Sequence, residues 1–289
     1  MKRHPIYSAV LLSLLLLITT CLSAETDTGL VVTYRMPESA TDQRHDYETE
    51  LLRLVLEKTL KQYGPYQLQP GFAMNLPRAI SMARNNEAEN LFFKTSYSEV
   101  LNQEFAYLPY PLDRGVLGYR VCFVNKDVAE KISQITHVEE LKKYTIGQGV
   151  GWLDSAILQH NGFQVVESEN YANLFLMLAA GRIDLFCRGA TEIEAEWQAH
   201  RELEGLALDE SFALYYPLPR FFWTHTENKV ALERINKGLV IALADGSAKT
   251  LWQKHHGGKL DFAKLQQRRI FTLENPNVKT INIEYRHFF

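Results

Sequence analysis

Apolar residues along this chain recur in two registers, short continuous runs and longer stretches spaced by three and four. "LVVTYR" from Leu30 is the first short run and reads as a strand. "DYETELLRLVLEKTLKQYG" then places Leu52, Val55, Leu56, Thr59, Leu60 and Tyr63 on one helical stripe, stopped by Gly64-Pro65. "YQLQP" is a second strand, a helix opens at Pro77 and runs to about Asn86, and "NLFFKTS" is a third strand. Beyond Pro109 and Pro111 the plan repeats. "LGYRVCFVN" is a strand, "HVEELKKY" a short helix and "YTIGQG" a strand. A helix around Ser155 to His160 leads to the strand "QVVES", the helix "YANLFLMLAAG", the strand "IDLFCRG" and the helix "ATEIEAEWQAHREL".

Helices between closely connected strands imply parallel-type sheets with right-handed crossovers, so the pattern predicts two α/β units. "FALYYPLPRFFWTHT" is then extended, and the helical stretches "NKVALERINKGLVIALADG" and "SAKTLWQKHHG" come too late to complete the second unit. They can cover the first if the chain crosses back near Leu214 to Trp223. The expected architecture is therefore two lobes joined by two crossing strands, with a cleft between them. Residues 25–113 plus 222–289 form lobe 1, with a C-terminal extension from about 258, and residues 114–221 form lobe 2.

The N-terminus sets the expected compartment. Lys2, Arg3 and His4 precede a largely apolar run from Ile6 to Ile18, and small or polar residues lead to Ser23-Ala24. About 20 Å of helix is too short for a bilayer core of about 30 Å, so residues 1–24 read as a secretory signal peptide cleaved after Ala24. Lipid anchoring through Cys21 is the weaker alternative, because Thr20 is larger than the residue usually found before a lipidated cysteine. Loss of Lys2 and Arg3 takes the net charge from −3 to −5, which argues against nucleic acid or an anionic membrane as partner. Cys122 and Cys187 lie in apolar strand-like runs, where buried unpaired thiols are the expected state and pairing in an oxidising compartment the alternative.

In open parallel sheets ligands sit beyond the carboxyl ends of strands. The residues there are Arg35, Lys94 and Thr95 in the first unit, and Gln148, Gly149, Glu167, Ser168 and Arg188 in the second. Facing lobes would bring Arg35, Lys94 and Arg188 to one space, which favours a ligand carrying a carboxylate or similar anion. The loop "TIGQGVGWLD" is not a dinucleotide cradle, because Trp152 stands where the third glycine must let helix pack on sheet. It reads instead as a helix N-terminus for a small anionic or polar group, with Trp152 as a wall and Asp154 as N-cap. Tyr97, Tyr110, Tyr215 and Tyr216 are further candidates for the cleft wall. Glu196 and His200 share one helix face, expected to be solvated, since two groups do not make a metal site. No cofactor is implied.

The segments "NYANLFLMLAAGRIDLFCRG", "INKGLVIALADGSAKTLWQKHHG" and "VLGYRVCFVNKD" after "LPYPLDRG" resemble the type II periplasmic binding proteins, specifically extracellular solute-binding protein family 3. The likeness spans about Leu30 to Gly257. "YRMPES", "GQGVGWLDSAIL", "FCRG" and "RRIFTLENP" are similar to a branch of exported substrate-binding-domain proteins. The resemblance implies a two-lobed, monomeric periplasmic receptor that closes on a solute for an ABC importer or a membrane sensor. It also exposes departures. "KTSYSEVLNQEF" lacks the arginine with which amino-acid receptors clamp a carboxylate, leaving Lys94 to deputise, and Arg188 replaces the acid that would hold an ammonium. The reversed charge at Arg188 argues against an ordinary α-amino acid, and the cations together favour an anionic solute. The tail from Lys259 to Phe289 exceeds the family's usual length and is expected to pack on the first lobe or serve a partner. Two other readings compete. One is a cyclohexadienyl dehydratase-like enzyme, for which Glu167, Asp154 and Glu99 are the nearby acids or bases. The other is a degenerate receptor that acts through protein contacts.

Overall fold

The computed structural model describes residues 29–38, 42, 44–279 and 281. The expected signal segment and Cys21 lie outside these. No helix among the described residues is long and apolar enough to cross a membrane.

The first half builds the predicted order. β1 (Leu30–Met36) is followed by α1 (Asp46–Lys58), α2 (Leu60–Tyr63), β2 (Tyr66–Ala73), α3 (Leu76–Arg84) and β3 (Leu91–Ser96). Next come α4 (Glu99–Glu104) and β4 (Phe105–Tyr107), after which the chain crosses to the second sheet. There it forms β5 (Tyr119–Asn125), α5 (Lys126–Ser133), α6 (Val138–Leu141), β6 (Thr145–Gly149), α7 (Leu153–His160), β7 (Gln164–Ser168), α8 (Tyr171–Ala179), β8 (Leu185–Gly189), α9 (Ile193–His200), β9 (Leu206–Leu208) and β10 (Phe212–Tyr215). It returns as β11 (Arg220–His225), α10 (Lys229–Ala244) and α11 (Ser247–His256), and ends with α12 (Lys259–Ala263) and β12 (Arg269–Thr272).

The first sheet runs β2-β1-β3-β11-β4 and the second β12-β10-β5-β8-β6-β7, with β9 beside β5. The pairs β1–β2, β1–β3, β6–β7 and β6–β8 are parallel, as the βαβ order requires. The strands that enter from a crossing, β5 and β11, run antiparallel to β8 and β3. Each sheet is covered on both faces. α1, α10 and α11 bury Leu52, Val55, Ile235 and Leu239 against Val32, Phe92 and Phe222, while α3 covers Leu91, Phe93 and Trp223 on the other face. In the second sheet Ile146, Leu185 and Leu214 face α7, and Phe123 and Phe186 pack with Leu174 of α8 and Ile193 of α9.

Two expectations are corrected here. Cys122 and Cys187 are register partners on adjacent strands and form a disulfide, because alternation turns both side chains to the same face. The tail packs chiefly on the second lobe, with Ile281 reaching back to the first-lobe core. α12 packs on α9, Ala263 is buried, and β12 extends the second sheet parallel to β10. Arg268, nearly inaccessible, donates to the carbonyls of Ala263, Asp209 and Phe212, and Asn275 donates to that of Pro217. Among the described residues the chain therefore passes between the lobes more often than the expected two times, a third time at Gly257-Gly258 and again before Ile281.

Candidate functional site

A cavity of about 70 Å³ lies between the lobes, at the carboxyl ends of the central strands. Arg35, Lys94, Thr95, Trp152 and Arg188, all expected at the site, line it. Gln148 and Gly149 do not. Gln148 is fully buried and alternates with Ile146, so it lies on the face beneath α7, and its amide has no hydrogen-bond partner among the described residues. Gly149 acts through its missing side chain. A Cβ there would lie 2.4 Å from the Trp152 indole, which lies across the loop. Gly151, at φ +78°, completes the turn, and a Cβ on it would meet Pro77 of the first lobe at 3.1 Å. The glycines thus permit close lobe contact and are not a phosphate cradle.

The three expected cations converge, but none is free. Arg35 donates from Nε and Nη2 to the Met74 carbonyl at 3.0 and 2.8 Å, and pairs with Glu38 at 3.2 Å. Lys94 Nζ lies 3.0 Å from Glu48 and 3.7 Å from Asp113. Arg188 holds Glu196 through Nε and Nη2 at 2.8 to 3.0 Å and reaches Glu192 at 3.1 Å. Its guanidinium also lies 4.7 Å from the Trp152 ring centroid. The expected solvated face of α9 is corrected accordingly: Glu196 is buried and accepts from Tyr171 at 2.7 Å, while His200 stacks on Phe175. Asp154 is not an N-cap. Trp152 holds that position without a side-chain bond, and Asp154 pairs with Arg120 at 2.6 Å and accepts from Tyr216 at 2.5 Å. Of the other tyrosines, Tyr97 is buried in the first-lobe core, Tyr215 packs on Tyr119, and Tyr110 lines a separate surface pocket.

Burial and pairing set the charges. Burial would raise the carboxyls of Glu48 and Asp113, but Lys94 with His45, and Arg220 with Lys94, hold each at about 2. Burial likewise opposes Glu192, yet Arg188, Arg220 and Arg120 keep it well below the carboxylate range. Glu196 goes the other way, because its burial outweighs the help from Arg188.

The sequence pattern missed Arg44, Arg120, Glu192 and Arg220. Arg120 and Arg220 stand at the beginnings of β5 and β11, where a strand entering from a crossing starts inside the cleft. A search restricted to strand ends passes over them. Arg220 bridges the lobes, lying 2.5 Å from Asp113 and 3.4 Å from Glu192. Arg44 stacks 4.0 Å from the Tyr171 centroid across the cleft.

Outside this charged wall lies a chamber of about 810 Å³, framed by α1, α9, the end of α11 and the start of α12. It shares Arg44, Lys94, Glu192 and Arg220 with the inner cavity. Among the described residues no group of three or more His, Cys, Asp or Glu is placed to hold a metal.

No protein-family profile matches the chain, and no curated protein matches it in sequence. Solved structures do. An ancestral arginine-binding protein bound to arginine is 16% identical, aligned over 78% of this chain and 98% of that one, with TM-score 0.58. A histidine kinase sensor domain with similarity to periplasmic binding proteins is 17% identical over 79% and 96%, TM-score 0.58. The GluR0 ligand-binding core from Nostoc punctiforme, in complex with L-glutamate, is 14% identical over 78% and 98%, TM-score 0.54. At such identities the likeness establishes the fold, the two-lobed architecture of type II periplasmic binding proteins.

Proposed function

We propose that this is an exported solute-binding protein whose lobes close on a polar solute bearing both a negative and a positive group, for an importer or a membrane sensor. One observation carries the reading: arginine, lysine and carboxylate side chains from both lobes converge at the strand ends on one interlobe space. The expected preference for a plain anion gives way to a dipolar solute, because each cleft cation already has a carboxylate or carbonyl beside it. A dipolar molecule can exchange one buried ion pair for two, whereas a lone anion adds an uncompensated charge. Arg188 at the position of the usual acid loses its weight against amino acids, since Glu192 and Glu196 neutralise it. The neighbours that hold arginine and glutamate support a dipolar ligand, and the sensor domain supports signalling beside transport.

Catalysis has less support. Glu167 is exposed, Asp154 is ion-paired and Glu99 accepts from Tyr97, so none is a poised acid or base. The test is thermal unfolding with amino acids, dicarboxylates, sugar acids and short peptides. A ligand at a hundredfold excess over its Kd adds about 2.7 kcal/mol. Its binding should also change the intrinsic tryptophan fluorescence of the protein. Silence across the whole panel would sink the proposal.

A further inference from the structure

The inner cavity and the outer chamber differ more than tenfold in volume, about 70 against 810 Å³. The first has room for about two waters, at roughly 30 Å³ each. The second falls within the roughly 300–1,000 Å³ of ordinary ligand sites. Resting on the solute-binding reading above, we infer that the solute lies in the outer chamber and is a short peptide with free termini.

Most of the chamber's charged residues are paired, Lys254 with Glu50 on the surface among them. Lys94, Arg220, Glu192 and Glu196 belong to the inner ion-pair network. Asp46 at the start of α1, Glu194 in the first turn of α9 and Lys259 at the start of α12 also line the chamber, with no ion pair to the described residues. Acids thus stand at two helix starts, and a base stands at the third interlobe crossing. A zwitterion whose ends are separated by a backbone can reach both. Between them Ala195 and Ala199, one turn apart on α9, and the rings of Tyr47 and Tyr171 form a smooth wall.

His256 supplies the second observation. Both ring nitrogens are inaccessible to solvent and without a hydrogen-bond partner among the described residues. Its ring packs edge-on against Tyr47, 4.9 Å between centroids, at the chamber wall. Burial, with Lys94 and Lys259 nearby, lowers its pKa to about 4 although Asp113 opposes this, so the imidazole is neutral at neutral pH. A neutral imidazole offers one donor and one acceptor, which a turn of the ring toward the chamber would present to a peptide amide or carboxylate. Leaving a buried polar group unpaired is unfavourable, and a ligand that pairs it recovers that cost.

The experiment is titration calorimetry on the full chain with glycine, tri-alanine, tri-glutamate, tri-lysine and N-acetyl tri-alanine amide. At least one free tripeptide should bind tenfold or more tightly than glycine, and the end-blocked peptide should lose most of that affinity. Ala195→Trp, or Ala199→Trp at an exposed position should the first fail to fold, should abolish binding with the unfolding temperature retained. His256→Ala should weaken it about tenfold. If a single amino acid binds and the tripeptides do not, or if both tryptophan variants fold and bind normally, the chamber is not the site. That outcome leaves the solute-binding reading intact. If nothing in this set binds, the peptide inference fails, and the solute-binding reading fails with it only if the wider panel of amino acids, dicarboxylates and sugar acids is silent too.

Discussion

The inner cavity and the outer chamber are built from adjoining residues yet use charge in opposite ways. In the cavity every arginine and lysine is matched. Arg35 has Met74 and Glu38, Lys94 has Glu48 and Asp113, Arg120 has Asp154, and Arg188 has Glu192 and Glu196. Around the chamber Asp46, Glu194 and Lys259 have no such match among the described residues. A buried charge must be paired to be tolerated, whereas one at an open wall keeps its water until something displaces it. Charges that hold the lobes together are thereby told apart from charges left to meet a solute.

Substitution at Arg188 should break the inner network most severely. Arg188→Ala strands the buried Glu196 carboxylate and leaves Glu192 to Arg220 and Arg120, and should lower unfolding free energy by about 3–5 kcal/mol in urea titration. Removing Glu196 as well, in Arg188→Met with Glu196→Gln, should restore much of the loss. A single-variant loss below about 1 kcal/mol would mean the network is not formed. Tyr216→Phe removes the hydroxyl that donates to Asp154 and should cost about 1.5–3 kcal/mol, with Arg120 still in place.

Acid should separate the two regions in sequence. His256 falls from 6.5 unfolded to about 4 folded, so the unfolded chain binds the proton first and stability declines from about pH 6.5 down to 4. His200, lowered by burial, acts in the same direction. Glu48 and Asp113 fall from 4.5 and 3.8 to about 2, so their contribution is complete above about pH 4.5 and is lost toward pH 2. Unfolding temperature against pH should show both declines, with His256→Gln reducing only the upper one. The smallest effects belong to the chamber. Lys259→Ala and Glu194→Ala should each change stability by less than about 0.5 kcal/mol, and a larger loss would place them in the structural network.

Much of the fold was legible in the pattern. The stripe from Leu52 to Tyr63 became α1 and α2, "NLFFKTS" became β3, and "SAKTLWQKHHG" became α11. Period and stop signals are local properties, so each segment declares them alone. The strand of the tail was not legible. "RRIFT" is short, and its membership of the second sheet depends on an open edge at β10, which only assembly provides. The expectation of free thiols failed for a similar reason, since facing register between β5 and β8 brings together residues 65 positions apart.

For the candidate site the division is the same. Local order along the chain placed Arg35, Lys94, Thr95 and Arg188 at the carboxyl ends of strands, and Trp152 in the loop after β6, where a cleft brings them together. Tertiary structure decided whom they meet: Glu48 from α1, Asp113 from a crossing, Glu192 and Glu196 from α9. A charge's position follows from backbone geometry within one element, but its free energy depends on every neighbour within a few ångströms. Those neighbours are supplied by packing.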